Sequence, residues 1–487
     1  MSAHVVAVDV GTSAVRAIAV DTGGQVLAHR RIARTSGLGG DTFDATELDR
    51  DVRAALAGVS GGPAPTALAV AAHIGTVAVD TDHRPVGRGG GWADSQGVPR
   101  LAALGDPTVR RLLRTAGRPA LTGGALAHFM GMEPGPASTV RALLSPKDFL
   151  VARLTGRLTA DTISAAYTLA SDVRRRAWNT GLPVETGLDP GLLPPQSEPT
   201  SVVGTLTAEA AAATGLPVGL PVVAGGPDGS VGIGLLLGGA DGVIADVAGT
   251  TDVIGRLLPS PDGVPDRAVL NPSVLPGRFV AGGATGLTGG AVAQWRSLVG
   301  AVEDERLAAV PPGANGLTVL PAMTGARFPT WRSGARGALL GQRPGHDAAC
   351  LLRAAQEAAA FTVREGVDLL DPTGTLPVVM AGGATRGRHV ARLRADILAR
   401  PLLISPQPDV TLLGAAALAF LGSGLDTDLD SVRERLIGRP RTVEPDAARA
   451  ERYGLLHSRW RELRDAADAA DSVYGADGAD SADGGDR

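Results

Sequence analysis

The sequence predicts an α/β protein built from two similar domains that face each other. Three observations carry this reading. The chain has 487 residues, more than one hydrophobic core usually serves, so two or three domains are expected. Its first segments read as hairpin strands, then a helix, then a buried strand, the pattern of a mixed sheet with helices on both faces. The opening stretch also returns near mid-chain: residues 6–13, VAVDVGTS, overlay residues 244–251, IADVAGTT.

The elements follow in order. Residues 5–13 form a strand that runs into a tight turn, and AVRAIAVD is the returning strand. Thr22-Gly-Gly-Gln is a hairpin signal, and VLAHRRIAR is the third strand. ELDRDVRAALAGV is an amphipathic helix, and TALAVAAHIG a buried strand. LPVVAGGPDGSVGIGLLLGG (220–239) is a strand, a glycine-rich turn and an apolar helix. LPVVMAGGATRGRHVARLRADILARPL (376–402) has the same form. TLLGAAALAFLGSG (411–424) is a small-residue helix, for which close core packing is the expected role.

Composition excludes several classes. Hydrophobic residues make up 44% and charged residues 20% of the chain, the balance of a globular protein. A net charge of −4 gives no field for nucleic acid or anionic membrane, so an anionic ligand must be held locally. The single cysteine, Cys350, lies in an apolar helical pattern and excludes an internal disulfide or a cysteine-based zinc site. No signal-peptide pattern and no apolar run near 18 residues stands out, so the cytoplasm is the expected location. The last stretch, DAADAADSVYGADGADSADGGDR, reads as a disordered acidic tail.

A turn rich in Gly, Thr and Ser offers backbone N–H groups and hydroxyls to one point, which suits phosphate oxygens. Two such turns, one per domain, could grip a polyphosphate from both sides; two ordinary hairpins are the plainer alternative. Asp9, just ahead of the first turn, could hold Mg²⁺ directly or through water. Asp228 sits where a strand hands over to a helix. There it either caps the helix or accepts a proton from a hydroxyl nucleophile. The glycines of AGGATRG could pack against a base and ribose.

The ordered set of motifs resembles the FGGY family of carbohydrate kinases over residues 4 to 465. The segments are DVGTS, WADSQ, KDFLVARLTG, GGPDGSVG, AGTTDVI, GGAVAQW, GARGALLG, AGGATRG and TLLGAAALA. The resemblance implies a two-domain, actin-like and ribonuclease H-like ATPase fold with a central cleft. It implies domains at 1–242 and 243–465, with a tail at 466–487. It further implies ATP and Mg²⁺, with Gly11, Thr12 and Ser13 in the first phosphate loop and Gly249, Thr250 and Thr251 in the second. Asp228 matches the catalytic base and Asp9 the metal-side aspartate. Gly290 and Gln294 match nucleotide contacts, and Gly382, Gly383 and Ala384 the adenosine segment. Lys147, Asp148, Thr155 and Gly156 match a segment read as structural. The expected partner is a small sugar or polyol, with no nucleic acid and no membrane, and a homodimer is the assembly allowed.

The sugar side departs from the family pattern. Xylulokinases carry Gln-Met-His-Gly where this chain has Ala72-His73-Ile74-Gly75. One place on a strand changes the face, so either His73 or Ile74 faces the substrate. An isoleucine there suits a deoxy, modified or four-carbon sugar. Trp92 and Asp94 keep the family's Trp–Asp segment: the ring for stacking on the sugar, the carboxylate for its hydroxyls. The leading expectation is a xylulokinase-like sugar or polyol kinase. The alternatives are a degenerate FGGY-fold sensor or scaffold, and an actin- or chaperone-like ATPase.

Overall fold

The computed structural model describes residues 3–34 and 41–479. Its first sheet has six strands: β1 (His4–Val10), β2 (Ala14–Asp21), β3 (Val26–Ala33), β4 (Leu68–Ala72), β5 (Val202–Thr205) and β6 (Pro221–Pro227). They lie in the order β5-β6-β4-β1-β2-β3. The hairpins β1–β2 and β2–β3 are antiparallel, while β4 runs parallel to both β1 and β6.

The second sheet repeats this plan. Its strands are β7 (Ile244–Ala248), β8 (Thr251–Leu258), β9 (Val269–Pro272), β10 (Phe279–Leu287), β11 (Val378–Ala381), β12 (Leu402–Ile404) and β13 (Arg441–Val443). Their order is β9-β10-β8-β7-β11-β12-β13. Again antiparallel pairs lead, β7 with β8 and β8 with β10, here with β9 inserted in the chain and added outside β10, and β7, β11 and β12 run parallel. The overlay read from the sequence thus falls on equivalent central strands.

Both sheets are covered by helices: α1 (Ala45–Ala57), α2 (Ala125–Gly131), α3 (Pro146–Thr155), α4 (Asp228–Leu237), α5 (Gly289–Val299), α6 (Ala348–Leu370), α7 (Arg388–Leu398), α8 (Val410–Gly422) and α9 (Ala447–Ala479). Strand alternation sorts the core. Val6, Val8 and Val10 of β1 pack in one cluster with Leu48 and Val52 of α1. Val5 and Ala7 pack in another with α4 and α8. Asp9 therefore shares the face of Val5 and Ala7, toward α8.

Helices α4 and α8 cross between the sheets at glycines. A Cβ on Gly414 would lie 2.7 Å from Val231 Cγ1, and one on Gly232 would lie 3.2 Å from Thr411 Cγ2. The small-residue run does pack closely, as expected, but its first turn also reaches the site described below. Cys350 is buried in α6. Helix α9 continues through 466–479, residues that composition assigned to a disordered tail, and residues 480–487 of that tail lie outside the described residues. Ala and Asp tolerate a helix that long runs of glycine would not. Among the described residues no helix is long and apolar enough to cross a membrane.

Candidate active site

A cavity of about 520 Å³ opens where the two sheets face each other. Its lining includes Asp9, Gly11, Thr12, Ser13, His73, Ile74, Trp92, Asp94, Asp228, Gly249, Thr250 and Thr251. Residues more than 200 positions apart in the chain thus meet at one gap.

The first turn joins β1 to β2, with the Gly11 N–H donating to Ala14 O at 3.0 Å. Arg34 holds the same turn through Gly11 O at 3.1 Å. In the second turn, between β7 and β8, Gly249 N–H donates to Thr251 O at 3.2 Å. Thr12, Ser13, Gly249 and Thr250 are exposed to the gap.

Asp9 is buried, and one carboxylate oxygen is fully engaged. Its Oδ2 accepts from Arg16, its cross-strand partner on β2, and from Thr411 Oγ1 at 3.1 Å. Arg16 also pairs with Asp409, ahead of α8, at 2.6 Å. Asp9 Oδ1 is buried with no hydrogen-bond partner. No group of three or more His, Cys, Asp or Glu side chains gathers around a common point among the described residues. One carboxylate oxygen without a partner among the described residues, beside the two Gly-Thr turns, suits Mg²⁺, which takes few protein ligands and completes its shell with phosphates and water.

A bulge sets Asp228 in place. The pairing of β6 with β4 shifts register between Val223 and Gly226. Gly225 within it has φ +73°, and a Cβ there would lie 1.9 Å from Val70 O. Only glycine fits, and the kink re-aims the chain that follows. Asp228 then opens α4 as its first residue, with Pro227 at the cap position and no side-chain cap bond. Asp228 is thus not the N-cap residue itself, though its Oδ1 accepts from one first-turn N–H, that of Gly229, at 2.6 Å. Burial, and then the charge of Asp9, push the Asp228 carboxyl up to about 7. A carboxyl poised there can accept a proton near neutral pH.

His73 and Ile74, expected on the sugar side, lie just beyond the end of a strand. β4 ends at Ala72, so the alternation of faces stops before His73 and Ile74, and both line the cavity. His73 is buried, with its ring edge-on to Phe43 at 5.1 Å, while Ile74 is half-exposed. His73 Nδ1 donates to Ile74 O at 3.0 Å, which leaves Nε2 as a buried, unpartnered acceptor. Burial pushes the imidazole down to about 4, so it is neutral at physiological pH.

Asp94 is held by His128 of α2, Nδ1 to Oδ2 at 2.6 Å, and by Gln96 N at 3.0 Å. These bonds outweigh burial and leave its carboxyl below the ordinary range. A Cβ on Gly90 would lie 2.2 Å from Asp94 Oδ2, so the glycine gives the pair its room. His128 was not expected from the sequence, where it lies in the apolar stretch ALAHFMG. Trp92 carries the Arg327 guanidinium 4.2 Å from its ring centroid.

The remaining nucleotide-side residues adjoin the second turn without lining the cavity. Gly290 N–H donates to Thr250 O at 2.8 Å, and Gln294 lies exposed further along α5. Gly382 has φ +111°, and a Cβ there would lie 2.3 Å from Ala248 O at the end of β7; Gly383 and Ala384 follow it. Lys147, Asp148 and Thr155 are buried. Lys147 pairs with Asp148 and, at 2.9 Å, with Asp161, and Gly156 closes α3 in the left-handed conformation.

Comparison with known proteins places this arrangement. Residues 4–234 match the FGGY family of carbohydrate kinases, N-terminal domain, and residues 245–423 match its C-terminal domain. The chain is 26% identical to the xylulose kinase of Bacillus subtilis (strain 168), over 94% of this chain and 96% of that one. It is 28% identical to the autoinducer-2 kinase of Escherichia coli (strain SMS-3-5 / SECEC), over 94% and 93% respectively. The crystal structure of the xylulose kinase from Rhodospirillum rubrum superposes with a TM-score of 0.83 at 26% identity, covering 96% of this chain and all of that one (100%). With both halves matched and the actin-like two-domain fold shared throughout, this chain belongs to the FGGY family and is an ATP-dependent carbohydrate kinase.

Proposed function

We propose that the cavity phosphorylates a hydroxyl of a small sugar or polyol, with Asp228 as the general base. The observation that carries the reading is the placement of Asp228: on the wall shared with both turns, beside Asp9, with its proton affinity raised to about 7. Asp228 takes the proton from the substrate hydroxyl as that oxygen bonds to the γ-phosphorus of ATP, and the bond to the β-γ bridging oxygen breaks to release ADP. Thr12, Ser13, Thr250 and Thr251 orient the phosphate chain from both sides. Arg16 holds Asp9 in its rotamer from the neighbouring strand. Mg²⁺, with Asp9 Oδ1 as its protein ligand, would spread the negative charge of the phosphates. Positioning and charge stabilisation carry most of the rate in such transfers.

On the sugar side, Asp94 accepts from substrate hydroxyls, with His128 fixing its orientation. Trp92 packs on a carbon face. The half-exposed Ile74 supports a substrate that lacks one hydroxyl of the usual ketopentose pattern, or carries a modified one. The two relatives act on xylulose and on autoinducer-2 by their names.

The test is ADP release by the wild type and by Asp228→Asn across sugars and polyols of four to six carbons. The reading expects turnover of at least one compound and its loss in the variant. Rapid turnover by Asp228→Asn would remove the base from this mechanism.

A further inference from the structure

The sugar end of the cavity holds two guanidiniums that no carboxylate among the described residues neutralises. Arg118 lies 4.5 Å from the centroid of the Tyr167 ring and donates to Leu270 O and Asn271 Oδ1, each at 2.9 Å. It also reaches Gly117 O at 3.3 Å. Asn271 is itself fixed by donating to Tyr167 Oη at 3.0 Å. Arg327 comes from the other half of the chain. It covers the Trp92 ring and, among the described residues, donates only to Trp92 O, at 3.2 Å, which leaves most of its N–H groups unused. Both side chains line the cavity.

The three fully buried arginines among the described residues have acids beside them. Arg353 pairs with Glu357, Arg394 with Asp246 and Asp252, and Arg400 with Asp371. For Arg118 and Arg327 the described residues supply no acid, and burial pushes both down to about 10. Both stay charged at neutral pH. Asp94, the carboxylate on the same wall, is already bound to His128 and Gln96. Arg118 and Arg327 are half-buried in the cavity wall; a charge partly removed from water without a counter-ion is costly, and planar guanidiniums are matched by a two-oxygen anion.

We propose that the carbohydrate accepted here carries an anionic group, a carboxylate or a phosphate, bound by Arg118 and Arg327. The inference rests on the kinase reading of the same site and narrows its substrate class. It also agrees with Ile74: a charged group in place of a hydroxyl is one such modified sugar. The anion is held from both halves, since Arg118 belongs to the first and Arg327 to the second.

The experiment compares three sets of four- to six-carbon compounds: aldonates, polyol monophosphates and neutral polyols. ADP release and the shift in melting temperature are read for each. The expected result is a kcat/KM at least about tenfold higher for one anionic set than for the neutral compounds, and which set responds identifies the anion. Arg118→Gln and Arg327→Gln should each lower that anionic-to-neutral ratio at least about tenfold, mainly through KM, and Arg→Lys should restore part of it. Preference for neutral polyols in the wild type overturns the anion and leaves the kinase standing. So does a ratio that the variants leave unchanged while nucleotide affinity falls, because the arginines would then serve the triphosphate. Anionic compounds that raise the melting temperature without ADP release keep the anion and sink the kinase. Silence in both readouts overturns both.

Discussion

The two glycine-threonine turns sit on equivalent strands of duplicated sheets, yet their carboxylates do opposite things. In the first half the acid is Asp9, which faces the cleft with one oxygen free. In the overlay its counterpart is Val247, which also lines the cavity, and the acid stands one place earlier, at Asp246. One place on a strand is the other face. Asp246 accordingly turns away from the cleft into the second core, where Arg394 bridges it at 2.7 Å and Asp252 at 2.6 Å. Burial, and then the charge of Asp252, push the Asp246 carboxyl up. The same scaffold thus keeps its acid at the cleft in one half and buries it in a structural ion pair in the other. A shift of one residue is enough to change the role.

The largest effect that sharpens this contrast is on catalysis. Asp228→Asn should lower kcat about 10²–10⁴-fold with the circular dichroism spectrum unchanged. Asp246→Asn should leave kcat within a few-fold, because that carboxylate never meets the cleft. Loss of turnover in both would erase the distinction. Next comes stability: Arg394→Met strands two buried carboxylates and should cost about 3–5 kcal/mol in denaturant unfolding, whereas Asp9→Asn should cost far less. Third, kcat/KM should fall about tenfold per pH unit below roughly 7 as Asp228 takes up its proton. That limb should persist in His73→Asn, since His73 titrates near 4.

The smallest effect is a linkage one. The folded Asp228 carboxyl lies near 7, above its ordinary 3.8, so its protonation favours the folded state. That contribution is complete below the ordinary value and is lost as pH rises through 7. Asp228→Asn should therefore be more stable than wild type at pH 8, by about 1–2 kcal/mol after allowing for solvent that reaches the cavity. The gap should close near pH 4. Melting curves at the two pH values measure it, and the gain would be the stability the chain gives up to keep a base in the cleft.

Much of this was legible because the chemistry is local in the chain. Asp9 and the Gly-Thr turns announce themselves as a break in an apolar strand, and Asp228 as an acid among glycines at a strand end. The repeat was visible because the same short pattern returns. The other contributors come from scattered places. His128, Arg118 and Arg327 lie in ALAHFMG, AGRPAL and GARFPT, where nothing in the spacing links them to Trp92 or Asp94; only the tertiary fold does. Thr411 hides in a run that reads as packing, and it does pack, but its position at the start of α8 also brings it to Asp9. At His73 and Ile74 the alternation argument reaches past its strand, which ends at Ala72, although His73 is the buried one of the two and Ile74 the half-exposed one.

The glycine crossing of α4 and α8 has a mechanical consequence. Each helix begins at the cleft, one carrying Asp228 and the other Thr411, and their closest approach lies within a turn or so of those ends. Any swing of one lobe against the other that pivots on this crossing acts on a short lever arm there and a long one at the outer lips. The lips can then travel far to admit a sugar while the Asp228 carboxylate and its neighbours hardly change their spacing.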